Sequence, residues 1–142
     1  ARRGLAGYLR VAAASLNPLH PSPFAVTVGA EHREPTAATI TVANGPQYGS
    51  NARIAPRALL DDGRLDLTAV PRLTLLNSLP LIAALFRGTL AKRPGVFMTT
   101  GERITVERAA PGPLHTDGEV HLAGAKVEFT VRPSSLSVLT PG

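Results

Sequence analysis

Four aspartates occur in the 142 residues, and they fall in two places. Asp61, Asp62 and Asp66 lie in Asp61-Asp62-Gly63-Arg64-Leu65-Asp66-Leu67. This follows the loop Asn44-Gly45-Pro46-Gln47-Tyr48-Gly49-Ser50-Asn51 and the Ile54-Ala55-Pro56 segment. Asp117 stands apart in Thr116-Asp117-Gly118-Glu119. Carboxylates are hard oxygen donors for divalent cations and can also accept protons. Glycine beside them permits turns that other residues resist. The pattern suits metal-assisted or proton-transfer chemistry. The same residues also encode plain structure, because Asp-Gly is a leading hairpin signal and Asp closes Asx-type turns. Spacing alone favours the turn for each Asp-Gly.

Asp61, Asp62 and Asp66 crowd one turn, and carboxylates so close repel unless a cation or a basic group offsets them. A weak Mg²⁺ or Ca²⁺ site there is the expectation. Other chemistries are excluded more firmly. The chain has no cysteine, so it has neither a disulfide framework nor a thiolate metal site. His20, His32, His115 and His121 show no metal-ligand spacing. No phosphate-cradling glycine loop is present. The net charge of +5 is compatible with anionic lipid surfaces or nucleotides. An aromatic content of 4%, with no Lys/Arg block, argues against nucleic acid as a partner.

The elements that must position these loops are mostly strands. Phe24–Val28, Ala37–Ala43, Leu65–Val70, Val96–Thr99, Arg103–Arg108, Val127–Val131 and Leu136–Leu139 read as strands, with the first two forming a hairpin that delivers Asn44 to a loop mouth. His20–Pro23 reads as a loop and Glu31–Pro35 as a polar turn. Gly4–Leu16 has helical spacing and is rich in alanine. A second helix starts at Asn77 or Ser78, tolerates Pro80 in its first turn and stops at Gly88. Its residues Leu81, Ala84 and Leu85 face the core, and the Leu75–Phe86 stripe is core packing before it is a lipid site. The longest apolar run, Leu79–Phe86, is too short to span a bilayer. Strand follows strand with little helix between, so the expected fold is mainly β, an antiparallel sandwich-like domain with one or two helices.

The order of the motifs carries more than any one of them. Gly4-Leu5-Ala6-Gly7-Tyr8-Leu9, Ala43-Asn44-Gly45, Tyr48-Gly49, Ile54-Ala55-Pro56 with Ala58, Asp62-Gly63, Leu65-Asp66-Leu67, Asp117-Gly118-Glu119 and Val138-Leu139 follow one another through nearly the whole chain. In that order they resemble the C-terminal domain of the bacterial diacylglycerol kinase and lipid kinase family, to which sphingosine and ceramide kinases are more distantly related. Two departures stand out. Ser50-Asn51 replace a run of glycines usual after Tyr-Gly, and Arg57 stands where an acidic residue is common.

The resemblance implies an ATP- and Mg²⁺-dependent kinase acting on the hydroxyl of diacylglycerol or a similar lipid. It implies that residues 1–142 are the C-terminal half, with ATP bound mainly by an N-terminal nucleotide-binding half and the active site between the two. On this reading Asp117 is the general base and Glu119 assists it. Asn44, Gly45 and Gly49 border the nucleotide, and Asp62, with Asp61 and the carbonyl of Arg64, holds Mg²⁺. The implied partners are the lipid at a membrane surface and the chain's own N-terminal half, with a homodimer left open. The implied location is cytoplasmic, peripheral on the inner face of the membrane. The 142 residues alone are expected to be inactive. Two alternatives stand beside this one: an NAD kinase-like domain, and a non-enzymatic β-domain that binds metal or lipid.

Overall fold

Alternating apolar and β-branched residues in Leu65–Val70 demand two buried faces, and the computed structural model supplies both. It describes residues 21–49, 51–74 and 76–137. The expected helix Gly4–Leu16 lies outside the described residues. The strands in chain order are β1 (Ser22–Pro23), β2 (Ala25–Val28), β3 (Glu31–Arg33), β4 (Thr36–Ala37), β5 (Thr39–Ala43), β6 (Leu65–Val70), β7 (Phe97–Gly101), β8 (Arg103–Glu107), β9 (Gly112–Thr116), β10 (Glu119–Ala123) and β11 (Lys126–Thr130). One α-helix, α1 (Ser78–Arg87), and a 3₁₀ turn, Leu90–Lys92, separate β6 from β7.

Every strand pairing is antiparallel. A four-stranded sheet has the order β11-β8-β2-β3 and a three-stranded sheet the order β5-β6-β7. Val26, Ile104 and Val106 from the first meet Leu67 and Ala69 from the second in one core, with Phe24, Ile40, Val42, Phe97 and Phe129 packed around it. Leu67 and Ile104 are wholly buried, each contributing roughly 1.5–3 kcal/mol. The tight β7–β8 turn also depends on its packing. A Cβ on Gly101 would clash with the Val28 side chain, so only glycine fits there.

Helix α1 packs against β7 through Met98. Leu81, Ala84 and Leu90 form a second cluster with Ile54, Leu73, Leu85, Val96 and Met98. Gly88 closes the helix at φ 67°, its N–H donating to the carbonyls of Ala84 and Leu85, which is the left-handed stop that glycine allows. Asn77 precedes the helix without a side-chain bond into it. Its amide instead ties the turn upstream, accepting from Thr74 N–H at 2.7 Å and donating to the Arg72 carbonyl at 2.8 Å.

Several local expectations are corrected by long-range pairing. Glu31–Arg33 is a strand rather than a turn, because β2 folds back on it across Gly29-Ala30. The expected hairpin of β2 with Ala37–Ala43 does not form: β2 sits between β3 and β8, and β5 pairs with β6. Ser22–Pro23, read as a loop, pairs with Thr36–Ala37. Leu136 and Ser137 are not in a strand, and the remainder of that expected strand lies outside the described residues.

Candidate functional site

The long connection from Asn44 to Arg64 is anchored by small apolar residues. Ala52, Ala55 and Ala58 are buried, and alanine lets the backbone lie close against sheet and helix. Arg53 N–H donates to the Leu85 carbonyl of α1 at 3.0 Å. The hydroxyl of Thr68, buried in β6, donates to the Ile54 carbonyl at 2.9 Å. The Ile54-Ala55-Pro56 motif is therefore a fastening of this loop to the sandwich. Asn44, Gly45 and Gly49 lie in its first part, where Tyr48 N–H donates to the Ala52 carbonyl and Ala52 N–H to the Gly49 carbonyl. Gly49 adopts φ 55°, and Gly45 sits beneath the Leu60 side chain.

The end of this loop opens a cleft of about 390 Å³ against β6 and β7. Asp62, Arg64, Asp66, Thr68, Thr100 and Arg57 contribute to its lining. Asp62 closes an Asx turn, its Oδ1 accepting from Arg64 N–H at 2.9 Å. The Arg64 guanidinium reaches across and donates to the Thr100 carbonyl at 3.1 Å. Asp66 pairs with Ala43 on one side and Thr100 on the other. Burial pushes its carboxyl above the ordinary carboxylate range, the Asp62 charge pushes the same way, and the Arg64 guanidinium offsets part of the rise. Asp62, Arg64 and Asp66 are thus brought together, whereas Asp61 is exposed and does not line the cleft. Among the described residues no three His, Asp or Glu side chains converge as a metal-ligand group.

The raised Asp66 carboxyl has a testable sign. Ionisation of a group whose folded pKa is raised costs stability above that pKa, and the cost vanishes below the ordinary carboxylate pKa. In cation-free buffer at pH 7, Asp66→Asn should raise the melting temperature, by no more than about 2 °C because the group is largely solvent-screened. Near pH 3 the two proteins should melt together. A variant that melts lower at pH 7 would show that the ionised carboxylate is compensated in the folded protein.

Asp117 and Glu119 belong to a different structure. They stand at the tip of the β9–β10 hairpin, whose last pair is Thr116 with Glu119. Asp117 at φ 49° and Gly118 at φ 91° make the two-residue turn, the I′ geometry that Asp-Gly favours. Both carboxylates are exposed. β8 begins beside the Gly101 turn, next to the Leu65 end of β6, and the hairpin follows its other end at Glu107, about 13 Å along the strand. The cleft lining includes neither Asp117 nor Glu119, and neither Asn44, Gly45 nor Gly49. The two acidic motifs thus do not line the same cleft.

One residue that sequence reasoning passed over secures this hairpin. The Arg108 guanidinium donates to the carbonyls of Gly112 at 2.7 Å, Pro113 at 3.0 Å, Ala123 at 3.0 Å and Gly124 at 3.2 and 3.3 Å. It therefore bridges both strands at the hairpin's root. Gly112 leaves the room, since a Cβ there would stand 3.3 Å from the guanidinium. No local signal marks Arg108 as special; its partners lie up to 16 residues away.

A family profile described as the YegS C-terminal NAD kinase beta sandwich-like domain matches residues 1–140. The chain belongs to this family. The two packed antiparallel sheets are the sandwich that its description names, and the motif order read as a lipid kinase C-terminal domain agrees with it. An uncharacterized protein, sll0036, of Synechocystis sp. (strain ATCC 27184 / PCC 6803 / Kazusa) is 31% identical over 121 residues, covering 82% of this chain and 28% of that protein. A diacylglycerol kinase from Bacillus anthracis str. Sterne shares the fold at a TM-score of 0.56 and 20% identity, over 87% of this chain and 47% of that one. This YegS-type domain therefore spans less than half the length of either protein. No helix among its described residues is long and apolar enough to cross a membrane.

Proposed function

We propose that this YegS-type domain is the C-terminal half of an ATP- and Mg²⁺-dependent lipid kinase that phosphorylates the hydroxyl of diacylglycerol or a similar lipid. The observation that carries the reading is the Asp117-Gly118-Glu119 tip, exposed on a hairpin that stands off the sandwich and is held at its root by Arg108. A carboxylate presented there can meet a substrate hydroxyl bound between this half and a nucleotide-binding half. Phosphoryl transfer asks for little covalent chemistry from the protein; it asks for positioning, a metal ion and a base within reach of the nucleophile. Asp117 accepts the hydroxyl proton and Glu119 supports it through hydrogen bonding. Asn44, Gly45 and Gly49 border the nucleotide, whose phosphates are held mainly by the other half.

Mg²⁺ fits the Asp62–Asp66 corner only as a water-rich ion. Two carboxylates line one cleft without a third, and Mg²⁺ readily keeps several waters with one or two carboxylates. Asp62 and Asp66, with the Arg64 carbonyl, would hold it, and it would supply charge that relieves their repulsion; Asp61, outside the cleft, would add negative field. Melting curves of the wild-type domain should rise with millimolar Mg²⁺ by mass action. Unchanged melting would remove the ion from this corner.

The test of the whole reading is transfer of labelled phosphate from ATP by the intact protein to detergent-dispersed diacylglycerol, with NAD as the competing acceptor. Label in the lipid is expected, dependent on Mg²⁺. The family's likeness to NAD kinases keeps the second acceptor as the specific alternative. Label in NAD alone would replace the lipid reading, and label in neither would leave a binding domain.

A further inference from the structure

From Asp66 to Glu102 no acidic residue intervenes, while Arg72, Arg87, Lys92 and Arg93 all fall in that stretch. In the same stretch the turn before α1 pushes leucines into solvent. Leu76 is 91% exposed and Leu79 66%, and Arg72, Thr74 and Pro80 are exposed beside them. The turn is built rather than slack. Thr74 N–H donates to Asn77 Oδ1 at 2.7 Å, Asn77 N–H to Thr74 Oγ1 at 3.2 Å, Asn77 Nδ2 to the Arg72 carbonyl at 2.8 Å, and Ser78 N–H to the Thr74 carbonyl at 3.0 Å. Leu73, one turn back, packs inward on the α1 cluster and roots the structure.

Leu59 and Leu60 run directly into Asp61 and Asp62, and Val120 and Leu122 follow Glu119. Tyr48 and Leu136 are exposed singly. The start of α1 instead pairs two nearby exposed leucines with the exposed Arg72 in an acid-free stretch of chain. That combination is complementary to an anionic bilayer: apolar side chains enter the headgroup and acyl boundary while cations remain at the phosphates.

We infer that Arg72, Leu76 and Leu79 form a membrane-docking prong at the start of α1, with the two leucines entering an anionic lipid surface and Arg72 resting at its phosphates. The choice of a bilayer over an acidic protein rests on the lipid kinase reading. The experiment is co-sedimentation of the intact protein with vesicles of phosphatidylcholine and phosphatidylglycerol in equal parts, against vesicles of phosphatidylcholine alone. Wild type should prefer the anionic vesicles. Leu76→Ser with Leu79→Ser should weaken partitioning about 100-fold, since two leucines lose their apolar burial. Arg72→Gln should weaken it about fivefold at low salt and little at high salt. Both variants alter exposed side chains, and their melting curves should match wild type.

Partitioning that is unchanged in the double leucine variant, or absent in wild type, would overturn the prong. So would a leucine-dependent change in the sedimentation coefficient without vesicles, which would place a second copy or another domain on these leucines. Vesicle binding needs no ATP, and transfer to detergent-dispersed diacylglycerol needs no vesicle. A failed prong with intact transfer, or the reverse, therefore tells the two readings apart.

Discussion

If the intact protein is the lipid kinase proposed, Asp117→Asn should slow single-turnover phosphate transfer by about two to four powers of ten, the usual weight of general-base catalysis. The fold should survive, for a reason the structure makes specific. Asp117 occupies the first central position of an I′ turn at φ 49°, and Asn-Gly suits that turn as well as Asp-Gly does. The side chain is exposed and no packing depends on it. What disappears, on the proposed reading, is the carboxylate oxygen that would accept the proton. Lipid affinity should change little, because the lost interaction acts mainly in the transition state, so KM should hold while kcat falls. Melting curves and rapid-quench transfer on the same preparations separate the two effects. Near-normal transfer by the variant would return Asp117 to the role of a turn residue.

Arg108→Ala should leave the sandwich standing and disable the hairpin. A two-stranded hairpin is marginal without further support, and Val120 and Leu122 on β10 are exposed rather than packed. Its root is held instead by the guanidinium, which donates to Gly112 and Pro113 on β9 and to Ala123 and Gly124 at the end of β10. Hydrogen bonds to a charged donor contribute about 1.5–3 kcal/mol each where water cannot replace them, and less near the surface. The loss is therefore local. Amide exchange at Leu114 and His121, which face each other as a hydrogen-bonded pair, should quicken while exchange in β6 and β8 stays slow. On the proposed kinase reading, kcat of the intact protein should fall by about 10- to 100-fold, the scale expected when a catalytic group is misplaced by about an ångström. Arg108→Lys should recover only part of this, since an ammonium lacks the planar fork that spans both strands. A kcat within twofold of wild type, with hairpin exchange accelerated, would show that catalysis does not depend on how Asp117 is held.

Features under the control of local backbone preference are legible along the chain. Alternating apolar residues mark β6 and β8, Pro80 and Gly88 bound α1, and Asp117-Gly118 makes a two-residue turn. The order of small motifs also pointed to the family, which the match over residues 1–140 bears out. Only the tertiary structure decided which strands pair. Glu31–Arg33 is fully exposed and carries no alternation, yet it becomes a strand because β2 offers it an edge. Gly112-Pro113 looks like a chain break, yet it opens β9 because β10 and Arg108 supply the bonds that its own propensity does not. Of the two acidic loops, only Asp62 and Asp66 line the cleft, while Asp117 and Glu119 sit on a hairpin beyond the far end of β8 in chain order. Asp66 differs from Asp61 and Asp62 because it alone is drawn into the sheet, where burial and a neighbouring charge act on it. Leu76 and Leu79 share a stripe with Leu81 in the sequence, but the helix has one inner face and the turn before it has none, so two leucines point outward and one inward. Pairing, burial and electrostatic neighbourhood depend on residues far apart in the chain, and no local pattern encodes them.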